Sequence, residues 1–467
     1  MSTRQSQNRP QRGRMRQFRL KAWIVSLLVI LGHSCRGQAP ADSKGKANAV
    51  QLRRKELFVR SALGKITFAR SFYTKPKGFE VLARWDSQAI SDVPDAFQQS
   101  FSQDNGRTWA EWKPVPVTEK TQGGIYYHGY GMGWPDPITG RLLSIDLDAV
   151  MPGDVSNAGE FDYQRFLNYR VSLDGGHTDI VRERVIQQGQ YNAEHPTEGV
   201  WLGKNSFAPG MNIVYSTEGR ILCPITIAPL GPDGKLYNPG GGFSYDHAAV
   251  LIGKWNKDAT INWDRSELIA ADPARTTRGW PEPTIAQMPG GRILMVMRGS
   301  NLRQALKEVA KLPPAAEGQA SREMPGYKWY AVSEDGGYHW SPVKPWIYSD
   351  GQSFFSPSSC SQLITHSNGQ IYWIGNIVAE NPKGNSPRYP LVVGRVDPKS
   401  LLLVRESIAV IDSWTPQDDP SLELSNFWAR EDRENGDIVL HLTRVVEFPQ
   451  GQGDAMIYHI QLSSSVR

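Results

Sequence analysis

The sequence predicts an all-β fold, a single six-bladed β-propeller, and three observations lead there. A glycine followed by a short apolar run recurs six times, at intervals of 62 to 79 residues. An octapeptide of more particular composition recurs in phase with it. The 467 residues also hold 44 glycines, 32 prolines and 15 tryptophans, a balance that suits many short strands and tight turns better than long helices.

The six glycines are Gly78, Gly140, Gly219, Gly291, Gly369 and Gly436. Each precedes a run such as Ile293-Leu294-Met295 or Ile438-Val439-Leu440. Glycine accepts the positive φ of a tight hairpin, and the unbroken apolar run after it reads as a strand buried on both faces. Units of this length accommodate a four-stranded antiparallel sheet and its loops. A fixed period of this kind marks a repeat architecture.

The octapeptide has the form Ser-x-Asp-x-Gly-x-x-Trp. It occurs as Ser102 to Trp109 and as Ser333 to Trp340, and Ser172 to Asp179 lacks only the tryptophan. Asp104, Asp174 and Asp335 are placed to accept backbone N–H groups across a turn, with glycine supplying φ > 0 and tryptophan packing beneath. These segments are structural in this reading. They are similar to the Asp boxes of the sialidase superfamily, which the chain resembles from about Phe58 to its C-terminus. The resemblance implies six blades and a ligand site at the mouth of the central channel.

The N-terminal segment stands apart from the repeat. Residues 1–38 contain eight basic residues, no acidic ones, and the apolar run Ala22 to Gly32. That run is too short to span a bilayer and suits the core of a signal peptide, with Met15 an alternative start. The expected organisation is a leader over 1–38, a linker over 39–57 and a propeller over 58–467. The chain is therefore read as exported; a lipoprotein signal would use Cys35. Removing the leader and its eight charges takes the formal charge from +5 to −3, which removes the case for a nucleic-acid partner. Cys223 and Cys360 then remain, either as a pair or as two thiols. No metal-ligand motif is present, and neither a metal nor a cofactor is expected.

The resemblance also implies a site. Sialidases hold the substrate carboxylate with three arginines, a planar donor geometry well matched to it. They protonate the leaving group from an acidic loop and attack through a tyrosine paired with a glutamate. Glu282 to Arg298 resembles the segment that opens with the catalytic glutamate and closes with the second arginine, sixteen residues on. Arg70 resembles the first arginine, Arg388 the third, and Arg84 an additional pocket arginine. Asp92 falls where the general acid stands, with Asp86 and Asp95 as rivals. Arg70, Arg298 and Arg388 are thus expected to converge.

At the tyrosine's place the chain has Leu424-Ser425-Asn426-Phe427-Trp428. No tyrosine occurs there, which leaves Glu431, or its neighbour Asp432, to supply a carboxylate nucleophile. The segments His128 to Trp134, Glu194-His195-Pro196 and Gly299-Ser300-Asn301 carry groups suited to sugars. The function expected is an exo-glycosidase acting on a terminal sialic or related acidic sugar. The alternatives are a non-catalytic glycan-binding propeller and a carboxylate-only glycosidase on the same fold.

Overall fold

A computed structural model describes residues 50–89, 93–121, 124–151, 164–185, 207–229, 237–242, 244–303, 324–446 and 451–462. The leader with Cys35, Asp92, and Glu194-His195-Pro196 lie outside the described residues.

Strand β1 (Val50–Val59) begins the described chain, and six antiparallel sheets account for the strands that follow. Blade one holds β2 (Ile66–Tyr73), β3 (Val81–Gln88), β4 (Ala96–Ser102) and β5 (Lys113–Val115). Blade two holds β6 (Thr118–Thr121), β7 (Gly124–Tyr127), β8 (Gly133–Pro135), β9 (Leu142–Met151), β10 (Gln164–Ser172) and β11 (Val181–Arg184). Blade three holds β12 (Phe207–Pro209), β13 (Val214–Tyr215), β14 (Ile221–Ile227), β15 (His247–Trp255) and β16 (Ile261–Arg265).

Blade four holds β17 (Thr284–Gln287), β18 (Ile293–Met297), β19 (Trp329–Ser333) and β20 (Lys344–Pro345). Blade five holds β21 (Gln362–Thr365), β22 (Ile371–Asn376), β23 (Leu391–Val396) and β24 (Ala409–Asp412). Blade six holds β25 (Phe427–Glu431), β26 (Ile438–Thr443) and β27 (Ala455–Leu462), and takes β1 as its outermost strand. This is the six-bladed propeller that the repeat predicts.

β1 runs antiparallel to β27, from Val50 opposite Leu462 to Val59 opposite Ala455. The segment expected as linker over 39–57 therefore contributes strand from Val50 onward. Its polar sequence misleads because an outer strand on the rim of a propeller keeps most of its side chains in water.

All six repeat glycines have positive φ, from 75° at Gly436 to 92° at Gly291. The strands that follow them are buried along nearly their whole length, as in Ile293–Met297 and Ile438–Thr443. Their side chains meet those of neighbouring blades, so the core is a set of wedges between sheets. Trp263, Trp280, Trp346 and Trp373 are among the largest fully buried side chains, a core use for four of the fifteen tryptophans.

Each Asp box follows the next-to-last strand of its blade, β4, β10 or β19. Asp104 Oδ1 accepts Thr108 N at 2.8 Å, and Asp174 and Asp335 repeat the bond with Thr178 N and His339 N. The Thr108 and Thr178 hydroxyls, which also donate to Asp104 and Asp174, together with these backbone bonds and those of His339 to Asp335, hold all three carboxyls below the usual carboxylate range.

The blades are stitched where their inner strands run side by side. Thr284 Oγ1 accepts Leu363 N at 2.9 Å. Gln362 exchanges both amide bonds with the Ala429 backbone at 2.9 Å, and Arg430 Nε reaches Ser71 Oγ at 3.2 Å. A chain shortened to begin after Val59 loses the ladder of β1 to β27. With net contributions of about 0.5–1.5 kcal/mol per hydrogen bond, a loss on the order of 5 kcal/mol is expected. A thermal unfolding midpoint unchanged by this truncation would show that β1 does not close the ring.

Candidate functional site

The hairpins of β17–β18, β21–β22 and β25–β26 all point to one end of the inner strands, so the residues just before and after these pairs lie at the other end. Glu282 stands two residues before β17, and Arg298 directly follows β18. The backbone of Glu282 has a φ of 52° and is flanked by Pro281 and Pro283. A left-handed conformation costs a non-glycine residue roughly 1–2 kcal/mol. Such strain persists where the surroundings fix a side chain in place.

Two neighbouring segments provide that fixing. Arg298 Nη1 donates to Glu282 Oε2 at 2.6 Å, and the Cys360 thiol donates to the same oxygen at 3.1 Å. Arg298 Nε donates to Ser358 Oγ at 2.9 Å. Arg388 donates through Nη2 to the Ser358 carbonyl at 3.2 Å and through Nη1 to the Glu423 carboxylate. The Asn385 amide lies between the two guanidiniums; its oxygen is best set against Arg388 Nη2, at 3.0 Å, and its nitrogen against the Ser358 carbonyl. Lys328 Nζ donates to the Ser359 carbonyl. The tripeptide Ser358-Ser359-Cys360, leading into β21, thus gathers Arg298, Arg388, Lys328 and Glu282 around one strap.

Glu282 keeps 34% of its side chain exposed, against 7% for Arg298. Among the described residues its Oε1 has no hydrogen-bond partner, so one oxygen is held and the other opens outward. Burial opposes its ionisation, but the Arg298 charge and the Cys360 and Arg298 hydrogen bonds outweigh that and hold the carboxyl at about 2. Burial and the adjacent Glu282 charge push the Cys360 thiol up to about 12. Burial and the Arg298 charge bring the Lys328 ammonium down to about 7. Cys223 and Cys360 are both free thiols, Cys223 buried in the core.

Arg70 and Arg84 lie opposite one another on β2 and β3 and share a sheet face with Asp86. That face turns to the seam with blade two. Arg70 donates to Asp86 Oδ1 at 2.8 Å and to the Tyr130 carbonyl at 2.7 Å, and Arg84 donates to the Gly131 carbonyl at 2.7 Å. The Arg70 guanidinium also lies over the rings of Phe97 and Trp428. Asp146 accepts Arg170 at 2.5 and 3.2 Å beside them. Burial and the Arg170 charge lower Arg84 to about 9.

His128 to Trp134, expected among the sugar-facing segments, instead supplies the carbonyls that receive these arginines. A Cβ on Gly131 would meet the Ile145 carbonyl at 1.7 Å, so only glycine lets this loop lie so close to β9. Hydrogen bonds therefore join Arg298 to Arg388, while among the described residues they carry Arg70 and Arg84 to the seam with blade two. The expected convergence of Arg70 with the other two is not what these bonds build.

Glu431 is also placed elsewhere. It is the last residue of β25, opposite Ile438, and accepts Ser367 N at 2.9 Å on the hairpin side of blade five. The strand runs away from the site, so Glu431 ends at the wrong end of it to act with Glu282. Asp432 accepts Asn105 Nδ2 at 2.6 Å in the same region. Asp95 binds Lys65 and Ser87. Asn301 holds the loop carrying Pro382 and Gly384. Phe427 is fully buried, and Tyr389 stacks on Trp414.

Sequence reasoning missed the roles of Lys328, Ser358, Glu423 and Cys360. For Cys360 a signal existed: Glu282 and Cys360 each precede their repeat glycine by nine residues, which puts them at equivalent places in consecutive blades. Among the described residues no group of three or more His, Cys, Asp or Glu side chains could hold a metal ion. No described helix is long and apolar enough to cross a membrane.

No family model and no curated protein matches this chain. Solved structures do. A protein of unknown function from Dyadobacter fermentans is 13% identical, with 89% of this chain and 100% of that one covered at a TM-score of 0.56. A variant of NanB sialidase from Streptococcus pneumoniae is 12% identical, with coverage of 87% and 70% and a TM-score of 0.52. The NanB complex with 2-[(3-chlorobenzyl)ammonio]ethanesulfonate is 14% identical, with coverage of 88% and 70% at the same TM-score of 0.52. The fold is that of a sialidase-like six-bladed β-propeller.

Glu282→Gln leaves Arg298 enclosed without its counter-charge. Breaking a buried pair costs about 3–5 kcal/mol, and partial exposure reduces this to about 1–3 kcal/mol at neutral pH. The carboxyl titrates at about 2 in the folded chain, below its ordinary value of 4.5. The stability it confers is therefore complete above that ordinary value and is lost as the pH falls toward about 2. Unfolding midpoints of wild type and variant should converge across that window. A gap that stays constant there would mean the ion pair contributes nothing to folding.

Proposed function

We propose that this chain is an exported exo-glycosidase that acts on a terminal acidic sugar at the Glu282 site. The observation that carries this reading is the Glu282 carboxylate itself: ionised, strained into place, bound through Oε2 to Arg298 and Cys360, and open at Oε1. A group held at about 2 cannot donate a proton at physiological pH. Glu282 therefore takes the part of the carboxylate facing the anomeric carbon, and the proton donor is assigned to Asp92 on the β3–β4 connection. Arg298 and Arg388 are the residues assigned to the substrate's carboxylate. The sialidase resemblance of the fold and the Glu282-to-Arg298 segment support this assignment, and export follows from the leader over 1–38.

A second reading has one observation in its favour. Where sialidases pair the glutamate with a tyrosine hydroxyl, Glu282 is paired with the Cys360 thiol, pushed up to about 12. A thiol so reluctant to ionise is a poor nucleophile, which favours a propeller that binds an acidic glycan without turning it over.

A panel of aryl glycosides that includes the sialoside separates the two. Under the first reading Glu282→Gln lowers kcat per folded molecule by about 10²- to 10⁴-fold, and Asp92→Asn does the same for substrates with poor leaving groups. Under the second, no glycoside is cleaved although acidic sugars bind. Full activity retained by Glu282→Gln would remove this residue from the chemistry.

A further inference from the structure

Arg298 and Arg388 each already have a carboxylate partner, Glu282 for the first and Glu423 for the second. Their charges are matched before any ligand arrives. A preference for an acidic ligand therefore needs a cation beyond these pairs, and Lys328 stands beneath them. Its residue is 0% exposed. Its ammonium is bonded to the Ser359 carbonyl, with Ser359 Oγ at 3.5 Å, and to no carboxylate among the described residues. Ser359 lies between Ser358, which holds both guanidiniums, and Cys360, which holds Glu282.

We propose that Lys328 sets the charge of the ligand this site accepts, and that an acidic sugar binds together with one proton taken up by Lys328. This rests on the acidic-sugar reading above. The groups facing Lys328 are Arg298 after β18, Arg388 ahead of β23, Glu282 ahead of β17 and Cys360 ahead of β21. Glu282 titrates at about 2 and Cys360 at about 12, so neither changes charge near neutrality. Lys328, brought down to about 7 by burial and by Arg298, does. Above that pH the lysine is neutral, and Arg298 and Arg388 are each matched by their own carboxylate. A ligand carboxylate favours the ammonium form, and by linkage the ammonium form favours the ligand.

Calorimetric titration of the full chain with N-acetylneuraminate, glucuronate and galacturonate tests this, in two buffers of different ionisation enthalpy. Wild type is expected to take up close to one proton per bound acid at about pH 8 and close to none at about pH 6. Its affinity should fall by up to about tenfold per pH unit above neutrality. Lys328→Met, which keeps the length of the side chain without its charge, should bind the acids weakly at both pH values with no uptake. The uptake on wild type needs no variant, so it stands even where the variant fails to fold. Tight binding without uptake at about pH 8, or a pH dependence unchanged in Lys328→Met, would overturn the role of Lys328 and leave the acidic-sugar reading standing. If no acid binds better than its neutral counterpart at about pH 6, the acidic-sugar reading falls, and this inference with it.

Discussion

A guanidinium withdrawn from water needs acceptors for its N–H groups and a counter-charge close by, and that requirement organises the inner face of this ring. Arg298 meets it with Glu282 and Ser358, Arg388 with Glu423 and the Ser358 carbonyl. Arg70 meets it with Asp86 and a loop carbonyl, Arg170 with Asp146. The acceptors come largely from segments between strands, because strand carbonyls are already spent on the sheets. The Ser358 to Cys360 strap and the glycine-rich loop at Tyr130 and Gly131 are such segments. One gathers the charges of blades four and five; the other seals blade one to blade two.

The two clusters differ in what they leave over. Between blades one and two most of the described donors and acceptors face one another, with Arg70 Nε left buried and unpaired, and burial is nearly complete for Arg84, Asp86 and Asp146. At Glu282 a single carboxylate oxygen remains unmatched and a third of the side chain meets solvent. A closed, nearly fully paired network serves rigidity, whereas an unmatched group at an opening can bind something. That difference, more than the number of arginines, separates the candidate site from the blade seam.

Much of this fold could be read before any coordinates, because a tight turn tolerates few residues. Positive φ at Gly78 or Gly369 and the Asp-box bonds of Asp104 are local demands, and local demands leave marks in sequence. The pairing of Glu282 with Arg298 was equally legible, since the β17–β18 hairpin fixes which strand ends meet. What sequence spacing did not convey was the direction of a side chain across a sheet. Arg70 and Arg84 sit at plausible distances along their strands, but matched parity points both at blade two. Glu431 fell to the same gap: blade six lends its inner strand only from Phe427 to Glu431, so the acidic end is the hairpin end. β1 went unrecognised because its neighbours in space are nearly the whole chain away in sequence.

That last separation bears on how the molecule is made. During synthesis Val50 emerges long before Leu462, the residue it will face, so blade six cannot be completed until the five other blades have been produced. Until then β1 exposes an unpaired edge, which is where foreign strands add and aggregation begins. The charges at Arg53, Arg54 and Lys55 lie on that edge, and Lys and Arg are residues that blunt such edges. A nascent chain carrying them is protected by repulsion while it waits for β27.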